Sequence, residues 1–544
     1  MVSQTELRGA LRRFWGYDTF RPMQEKVVRS LIAGHDTCAV MPTGFGKSLC
    51  YQLPAALLSN ETVVVVSPLI ALMQDQVAQL TQMGIPSALL NSSLSKPRQA
   101  QVINEATEGK YRLLYLSPER LAAADTSQWL RRVPVSFFAI DEAHCISEWG
   151  HEFRPEYRQL SRLRAEFPER RIAAFTASAT RRVRHDIIEQ LGLSDPHKYI
   201  ASFYRPNLRY FTIECDEELQ QKMLLSALRY YSGENVIVYA PTISKVGATV
   251  EFLEKNNIPA IPYHGKMESD ARRQNQERWM SDEVRVLVGT IAFGLGINKA
   301  AVRAVIHLAL PKSIEQYYQE AGRAGRDGLP ADCVLLWRRR DAGLLAYFIG
   351  LLTDQAEKER GWQRYHEILG YAESKTCKHF QICRHFGEIP KWKSCDACDA
   401  CGCELAWSPS SPKVDKKQSP EPAPLSVVMP SRSDPLVKQP AAEVDPALRE
   451  YMRQWRQETA KQSGMAAFII MHDTSLDELC RIRPRTLVEL RKVSGFGERK
   501  TELYGQQILD ALKRFQDGAR ASALPPKTRI RKKRPWGEVR RAAT

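Results

Sequence analysis

The stretch TCAVMPTGFGKSLCYQL, residues 37–53, joins a short apolar run to a helical pattern through a turn that contains two glycines. Backbone N–H groups at the start of a helix can bind phosphate, and the side chain of Lys47 can reach the β- and γ-phosphates of a nucleotide. The hydroxyl of Ser48 can bind Mg²⁺. The general pattern has a glycine where this chain has Met41, so an accidental Gly-Lys-Ser turn is the alternative. We predict a P-loop whose nucleotide contacts are Thr43, Gly44, Gly46, Lys47 and Ser48.

An acidic motif follows a second apolar run. Residues 137–140 lead directly into Asp-Glu-Ala-His, residues 141–144. Acidic groups at the carboxyl end of a parallel strand face the crevice in which the sheet binds its ligand. Asp141 is predicted to hold Mg²⁺ through its water shell, and Glu142 to orient or deprotonate an attacking water. A solvated acidic turn is the alternative, which the P-loop disfavours because a nucleotide site needs such a partner.

Two arginines stand between glycines in QEAGRAGRDG, residues 319–328. The glycines permit close approach of the backbone, and Arg323 and Arg326 are predicted to act as arginine fingers that reach the nucleotide when two lobes close. The alternative is a glycine-rich surface loop with solvated arginines.

Short apolar runs alternate with helical patterns from residue 36 to residue 337, which is typical of parallel strands buried on both faces. Some 300 residues exceed one doubly wound domain, so we predict two lobes with a joint at residues 201–209, where Pro206 interrupts regular structure. The predicted strands are residues 37–41, 62–66, 113–116, 136–140, 172–175, 236–239, 285–288 and 304–308.

The charge is uneven along the 544 residues, which carry a net +16. Residues 519–544 hold nine Lys or Arg and one acid, and Arg529–Arg534 is followed by Trp536. This basic tail predicts contact with a polyanion, with a solubilising or sorting segment as the alternative. The chain has no apolar run of about 18–20 residues, so we expect no membrane partner and a cytoplasmic location.

Six of the twelve cysteines lie between residues 377 and 403. Their clustering favours a metal site over disulfides, and the predicted zinc ligands are Cys377, Cys395, Cys398 and Cys401. Cys403 can replace Cys401 as the fourth ligand, and Cys383 is surplus. An iron–sulfur cluster is the rival use, although the Cys-Pro ending of ferredoxin-type sites is missing.

These motifs, together with FWGYDTFRPMQ (residues 14–24), WGHEFRPEY (149–157) and AFGLGINK (292–299), resemble the RecQ family of superfamily 2 DNA helicases. The resemblance covers residues 11–401 and again residues 445–515, where it is to the HRDC domain. It implies ATP as the nucleotide and a DNA-associated location, which is nuclear if the source is eukaryotic. Residues that match its adenine-recognition segment are Tyr17, Arg21 and Gln24. Residues that match its DNA contacts are Ser67, Trp149, Phe153, Arg154 and Thr290.

The resemblance implies an α/β fold with two RecA-like parallel-sheet lobes, a helical zinc module with four cysteine ligands, a disordered linker and a small all-α domain. The predicted boundaries are 1–202 for lobe 1, 203–340 for lobe 2, 341–404 for the zinc module, 405–444 for the Pro-rich linker, 445–518 for the HRDC-like domain and 519–544 for the basic tail. Only 43 residues separate Cys401 from Asp445. The winged-helix domain that the family usually has there does not fit.

The resemblance therefore implies an ATP-dependent helicase or translocase that moves 3′ to 5′ on single-stranded DNA and acts on forked DNA in repair and recombination. Two alternatives stay open, an RNA-remodelling ATPase with the same core and a DNA-binding or annealing protein with weak unwinding. In the HRDC-like domain, the turn at residues 495–497 beside Arg499 and Lys500 is either a phosphate site or a plain turn between helices.

Overall fold

The computed structural model describes residues 2–91, 94–150, 152–291, 293, 299–408, 444–463 and 465–521. It contains two parallel sheets followed by helical segments, which confirms the predicted fold class. Most of the predicted linker and of the basic tail, including Trp536, lies outside the described residues. Within the described part of the chain, no helix has the length and apolar character needed to span a membrane.

Lobe 1 is built on a seven-stranded parallel sheet with the order β3-β4-β2-β5-β6-β1-β7. Its central strands are apolar and buried on both faces; every residue of β2 is buried. The strands are β1 (Thr37–Val40), β2 (Thr62–Val66), β3 (Ser87–Leu90), β4 (Leu113–Leu116), β5 (Val135–Ile140), β6 (Arg171–Thr176) and β7 (His197–Ile200).

Lobe 2 is built on a six-stranded parallel sheet with the order β10-β11-β9-β12-β13-β8. One cluster of buried apolar side chains continues from lobe 1 through lobe 2 into the zinc module. The strands are β8 (Leu208–Glu214), β9 (Asn235–Tyr239), β10 (Ala260–Tyr263), β11 (Val286–Gly289), β12 (Val302–His307) and β13 (Ala331–Trp337).

Helices cover both sheets and form the two C-terminal units. Lobe 1 contains α1 (Gln4–Ala10), α2 (Gln24–Ile32), α3 (Lys47–Leu57), α4 (Ile70–Gln82), α5 (Lys96–Thr107), α6 (Pro118–Leu121), α7 (Thr126–Leu130), α8 (Pro155–Arg158), α9 (Leu163–Glu166) and α10 (Arg181–Gln190). Lobe 2 contains α11 (Glu217–Tyr230), α12 (Ile243–Lys255), α13 (Ser269–Met280) and α14 (Ile314–Ala321). After lobe 2 follow α15 (Arg339–Gly350), α16 (Gln355–Glu373), α17 (Lys378–His385), α18 (Pro446–Ser463), α19 (Ala467–Ile470), α20 (Asp473–Ile482), α21 (Leu487–Leu490) and α22 (Glu498–Gln516).

The sequence patterns missed several strands near the sheet edges. The edge strand β7 is mostly exposed and polar, so it lacks the apolar run that identifies a buried strand. The edge strand β10 contains Pro262, which a central strand would not tolerate. The joint is also shorter than predicted, because β8 begins at Leu208, two residues after Pro206.

The zinc module packs against the joint between the lobes. The Phe203 ring stacks on Phe386 at 4.2 Å between ring centroids, and the Phe203 N–H donates to Glu388 Oε2 at 2.8 Å. From lobe 1, Arg181 donates to the Gly387 carbonyl and Arg184 to the Phe386 carbonyl. The module is therefore bound to lobe 1 and to the joint at once.

The C-terminal helical domain, α18 to α22, has its own apolar core and packs on both lobes. Tyr504 donates to Gln82 Oε1 in lobe 1 at 2.9 Å, and Gln457 donates to the Ser281 carbonyl in lobe 2 at 2.7 Å. The turn at residues 495–497 lies against the segment that precedes Tyr17 and is covered by it.

We expect Gly497→Ala to separate this domain from lobe 1. Gly497 has an ordinary φ of −75°, but an added Cβ would lie 2.6 Å from the Phe14 carbonyl oxygen. The clash is with lobe 1 backbone, so the helical domain should stay folded. Hydrogen exchange of residues 13–16 should become faster. Gly370→Ala, where the added Cβ has open space, is the control, and unchanged exchange in Gly497→Ala would contradict the docked arrangement.

Candidate functional site

The P-loop has the backbone shape that its glycines permit. Residues 41–46 connect β1 to α3, which begins at Lys47. Gly44 (φ 89°) and Gly46 (φ 77°) occupy the left-handed region, which glycine adopts without a steric cost. A Cβ on Gly46 would lie 2.5 Å from Gln24 Nε2. This loop therefore requires glycine for its conformation and for the close approach of Gln24.

Two of the three residues predicted for adenine recognition hold the P-loop directly. Gln24 Nε2 donates to the carbonyls of Phe45 at 3.0 Å and Gly46 at 3.1 Å, and its Oε1 accepts from the Arg21 N–H at 2.8 Å. The Arg21 guanidinium donates to the Gly44 carbonyl. Tyr17 is 39% exposed, which leaves its ring available for stacking. The segment and the loop form one polar unit.

Lys47 and Ser48 lie at the start of α3. Lys47 Nζ donates to the Met41 carbonyl at 3.4 Å. Ser48 Oγ accepts from Gln76 Nε2 at 3.0 Å, and Gln76 in turn accepts from the Tyr115 hydroxyl at 2.8 Å. Sequence reasoning missed Gln76, although a glutamine on the buried face of the amphipathic helix α4 is the signal that could have found it.

The acidic motif follows β5 and the P-loop follows β1, and these two parallel strands lie on either side of β6. Both motifs therefore lie at the edge of the sheet where the strands have their carboxyl ends. Asp141 is 4% exposed. Burial and the neighbouring Glu142 carboxylate raise the pKa of Asp141 to about 7. Glu142 has a left-handed backbone (φ 47°), which turns the chain sharply out of β5. A buried carboxylate beside a second one and Lys47 fits a divalent cation, whose charge would offset the cost of ionising Asp141.

A polar chain runs from the acidic motif into lobe 2. His144 Nδ1 lies 3.4 Å from Glu142 Oε2 and 3.0 Å from Thr176 Oγ1. Thr176 Oγ1 donates to the Ser178 carbonyl at 3.1 Å, and Ser178 Oγ accepts from Gln319 Nε2 at 2.9 Å. All of these residues except Glu142 are buried. The sequence did not predict the contact between Ser178 and Gln319 across the cleft.

The two predicted arginine fingers have different surroundings. The Arg326 side chain lies against the P-loop, with its Cγ 3.5 Å from the position of a Cβ on Gly44. Arg323 is buried and lies close to Tyr239 within its own lobe. Burial and the neighbouring Arg323 guanidinium lower the pKa of Arg326 to about 9. Of the two predicted fingers, Arg326 is therefore the one whose side chain is seen beside the phosphate-binding loop, and it lies where an anion would relieve the repulsion between the two guanidinium groups.

The residues predicted to contact DNA differ in how far their side chains are exposed. Trp149 and Phe153 are each 36% exposed. Two guanidinium groups lie over the Trp149 ring, Arg182 at 3.0 Å and Arg360 at 5.5 Å from its centroid. The Phe153 ring has Arg158 at 5.8 Å.

The remaining predicted DNA contacts are less accessible. Ser67 is only 2% exposed, while Arg154 and Thr290 are half-buried. The Tyr157 hydroxyl donates to the Asp141 carbonyl at 2.9 Å, which joins the aromatic loop to the acidic motif. Part of the 292–299 motif lies outside the described residues.

The four predicted zinc ligands come together. The sulfur atoms of Cys377, Cys395, Cys398 and Cys401 all lie within 4.8 Å of one another. Hydrogen bonds from Cys395 and Cys398 lower the pKa of Cys377 to about 4, while the pKa of Cys395 is raised by hydrogen bonds with Cys377 and Cys398. Four sulfurs this close cannot all carry charge without a cation, so the donor set fits Zn²⁺.

The two surplus cysteines are not members of this group among the described residues. Burial, followed by the nearby Glu388 carboxylate, raises the pKa of the Cys383 thiol. Burial also raises the pKa of Cys403.

Protein-family profiles match four parts of the chain. They are described as DEAD/DEAH box helicase (residues 21–187), helicase conserved C-terminal domain (219–328), RecQ zinc-binding (339–402) and HRDC domain (445–512). Because an arginine loop of lobe 2 completes the phosphate-binding edge of lobe 1, the fold and site define the class of two-lobed helicases.

Curated relatives narrow this class. A protein named ATP-dependent DNA helicase RecQ from Pasteurella multocida is 43% identical over 74% of this chain and 62% of its own length. The protein of the same name from Haemophilus influenzae is 43% identical over 74% of this chain and 64% of its own length. The one from Bacillus subtilis is 39% identical over 72% of this chain and 66% of its own length. The chain belongs to the RecQ family. It spans slightly less than two thirds of the length of these relatives.

Solved structures support the fold alone. The helicase MrfA bound to DNA matches with a TM-score of 0.52 at 18% identity, over 62% of this chain and 51% of that one. The DEAD-box helicase Mss116 bound to single-stranded RNA matches with a TM-score of 0.50 at 16% identity, over 63% and 77%. Both likenesses agree with two parallel-sheet lobes.

We expect Cys395→Ser to reduce the zinc content from about one ion per chain to near zero and to unfold the zinc module, because a structural zinc site contributes folding energy directly. Metal analysis and thermal melting measure both effects. Cys403→Ser is the matched control and should keep its zinc. Iron and sulfide in the purified protein, or loss of zinc from Cys403→Ser, would contradict the assigned ligands.

Proposed function

We propose that the protein is an ATP-dependent DNA helicase or translocase. The observation that carries this proposal is the close approach of Arg326 of lobe 2 to Gly44 of the P-loop in lobe 1, because it makes one nucleotide site from two lobes. Such a site couples nucleotide hydrolysis to relative movement of the lobes. The relatives named DNA helicase support DNA as the substrate.

The role of each lobe 1 residue at the nucleotide follows from its position around the P-loop. The N–H groups at the start of α3 and Lys47 bind the phosphates, and Gln24 and Arg21 keep the loop in shape. Ser48 and Asp141 would hold Mg²⁺, which neutralises phosphate charge when bound. Glu142 orients the attacking water and accepts its proton as the bond between the γ-phosphorus and the bridging oxygen breaks.

The second half of the cycle belongs to lobe 2. Arg326 neutralises charge that develops on the γ-phosphate, and ADP retains the bridging oxygen. When that charge is lost, the attraction that holds Arg326 across the cleft weakens and the lobes can separate. The polar chain from Glu142 to Gln319 runs between the same two lobes. A change in the bound nucleotide would therefore alter the contacts of lobe 2.

DNA bases would stack on the aromatic loop. Aromatic stacking on single strands tolerates any base sequence. Because Arg182 lies 3.0 Å from the Trp149 centroid, a base entering that face must displace the guanidinium. The displaced arginine would then be free to bind a DNA phosphate. The same proposal includes movement from 3′ to 5′, action on single-stranded and forked DNA, and roles in repair and recombination.

The efficiency of duplex unwinding should depend on the segment between the zinc module and the HRDC domain. Only 42 residues separate the two profile matches, which is too short for a winged-helix domain of ordinary size. We therefore propose that translocation on single strands is stronger than unwinding of duplex DNA. Strand displacement on a 3′-tailed duplex, compared with translocation on the single strand, measures the difference.

The substrate is tested by ATP turnover with single-stranded DNA, duplex DNA or RNA, with Lys47→Ala as the blank. Turnover that rises with single-stranded DNA and fails to rise with RNA supports the proposal. Equal or greater stimulation by RNA would favour an RNA-remodelling ATPase. DNA binding without any turnover that depends on Lys47 would favour an annealing protein.

We expect Arg326→Ala to lower kcat for ATP hydrolysis by about 10³-fold with little change in nucleotide affinity, because an arginine finger acts on transition-state charge. Arg323→Ala should have the smaller effect, since Arg323 lies close to Tyr239 in its own lobe. Steady-state kinetics with single-stranded DNA and binding of a fluorescent ATP analogue separate the two effects. A larger loss of kcat in Arg323→Ala would reverse the assignment.

We expect Trp149→Ala to weaken binding of single-stranded DNA about 5- to 150-fold, because stacking contributes roughly 1–3 kcal/mol per base. The ratio of DNA-stimulated to basal ATP turnover should fall with it. Fluorescence anisotropy with an oligonucleotide measures the affinity. Tyr347→Ala, which removes an aromatic ring that is 61% exposed on α15, is the control. Equal losses in both variants would show that Trp149 has no special role.

A further inference from the structure

Two side chains of the joint between the lobes hold the loop that carries Arg326. They are the buried Arg205 and Asn207, whose Nδ2 donates to the Gly325 carbonyl at 2.8 Å. Arg205 Nη1 donates to the Gly322 carbonyl at 3.0 Å, and Nη2 donates to the carbonyls of Ala324 at 3.1 Å and Gly325 at 2.8 Å. Arg205 is 7% exposed. The loop follows the last turn of α14, where carbonyl groups no longer have helical partners, so these bonds fix its path.

The backbone of Arg205 is in turn held by a histidine of the zinc module. His379 Nε2 lies 3.1 Å from the Arg205 carbonyl oxygen, and its Nδ1 lies 3.2 Å from the sulfur of Cys395. His379 is 1% exposed and belongs to the first turn of α17, which begins directly after Cys377. One imidazole ring therefore joins the cysteine cluster to the joint.

The residues before Arg205 are fixed by the same module. Phe203 stacks on Phe386, and the Tyr204 ring lies 4.8 Å from that of Trp392. The Ser202 hydroxyl donates to Glu388 at 2.7 Å. The joint is thus packed along its length, and a shift of α17 would move the Arg205 backbone with it.

We infer that His379 is a positioning residue for ATP hydrolysis, which sets the placement of Arg326 at the P-loop through Arg205 and the loop of residues 322–325. This inference rests on the proposed function and adds a role for the zinc module within it. Displacement of a catalytic group by about 1 Å can cost on the order of 10²-fold in rate, so an indirect support of this kind has a measurable effect.

The test compares His379→Ala with His379→Gln in the full-length protein. His379→Ala removes the contact to Arg205 but keeps all four cysteines, so the protein should retain one zinc per chain and its affinity for a fluorescent ATP analogue. Its kcat should fall roughly tenfold or more with KM for ATP unchanged. A glutamine amide can donate to the Arg205 carbonyl, so His379→Gln should recover most of the rate. His366→Ala, at an exposed histidine of α16, is the control.

A double variant tests whether the effect passes through Arg326. If His379 acts by placing this arginine, His379→Ala combined with Arg326→Ala should be no slower than Arg326→Ala alone. Multiplied losses would overturn the inference. So would loss of zinc from His379→Ala together with His379→Gln, or an unchanged kcat in His379→Ala.

A measurement that needs no ATP turnover separates this inference from the proposed function. Amide hydrogen exchange of residues 322–326 should become faster in His379→Ala than in the wild type and the His366→Ala control. A wild-type protein without ATP turnover dependent on Lys47 would refute the proposed function and leave this structural coupling supported. Unchanged exchange in the loop would refute the coupling itself.

Discussion

The three hydrogen bonds from the Arg205 guanidinium to carbonyls of the 322–325 loop hold the lobe 2 side of the nucleotide site. A loop that leaves a helix has unpaired carbonyl groups, and burying them without donors is costly. One planar guanidinium meets this need with bonds of fixed geometry. The position of Arg326 opposite Gly44 therefore depends on a residue of the joint, which belongs to neither sheet.

Coupling between the lobes has a physical basis in two separate contacts across one cleft. Arg326 meets the P-loop, and Gln319 meets Ser178, which is linked through Thr176 to His144. Both arise from α14 and the loop after it, so the two contacts form or break together. A change in charge at the phosphate site would thereby act on a polar network that ends in lobe 2.

The sequence identified residues whose chemistry depends on local context, and missed those whose partners are distant along the chain. The P-loop could be predicted because a strand, a glycine turn and a helix are consecutive, and Asp141 because parallel strands end at one edge. Arg205 and Gln319 could not, since the partners of their side chains lie at least 117 residues away along the chain. For Gln76, the available signal was its position on the buried face of α4. Strand β7 was missed because its side chains are mostly exposed, which removes the apolar pattern.

The turn at residues 495–497 illustrates how packing decides between two uses of the same backbone. Its glycines and the adjacent Lys500 suggested a phosphate site, yet Lys500 is 4% exposed and burial lowers its pKa to about 8. The Phe496 backbone lies where a Cβ on Gly16 would clash, at 2.6 Å. N–H groups covered by lobe 1 cannot bind an external anion, so docking of this domain and phosphate binding by this turn are mutually exclusive states.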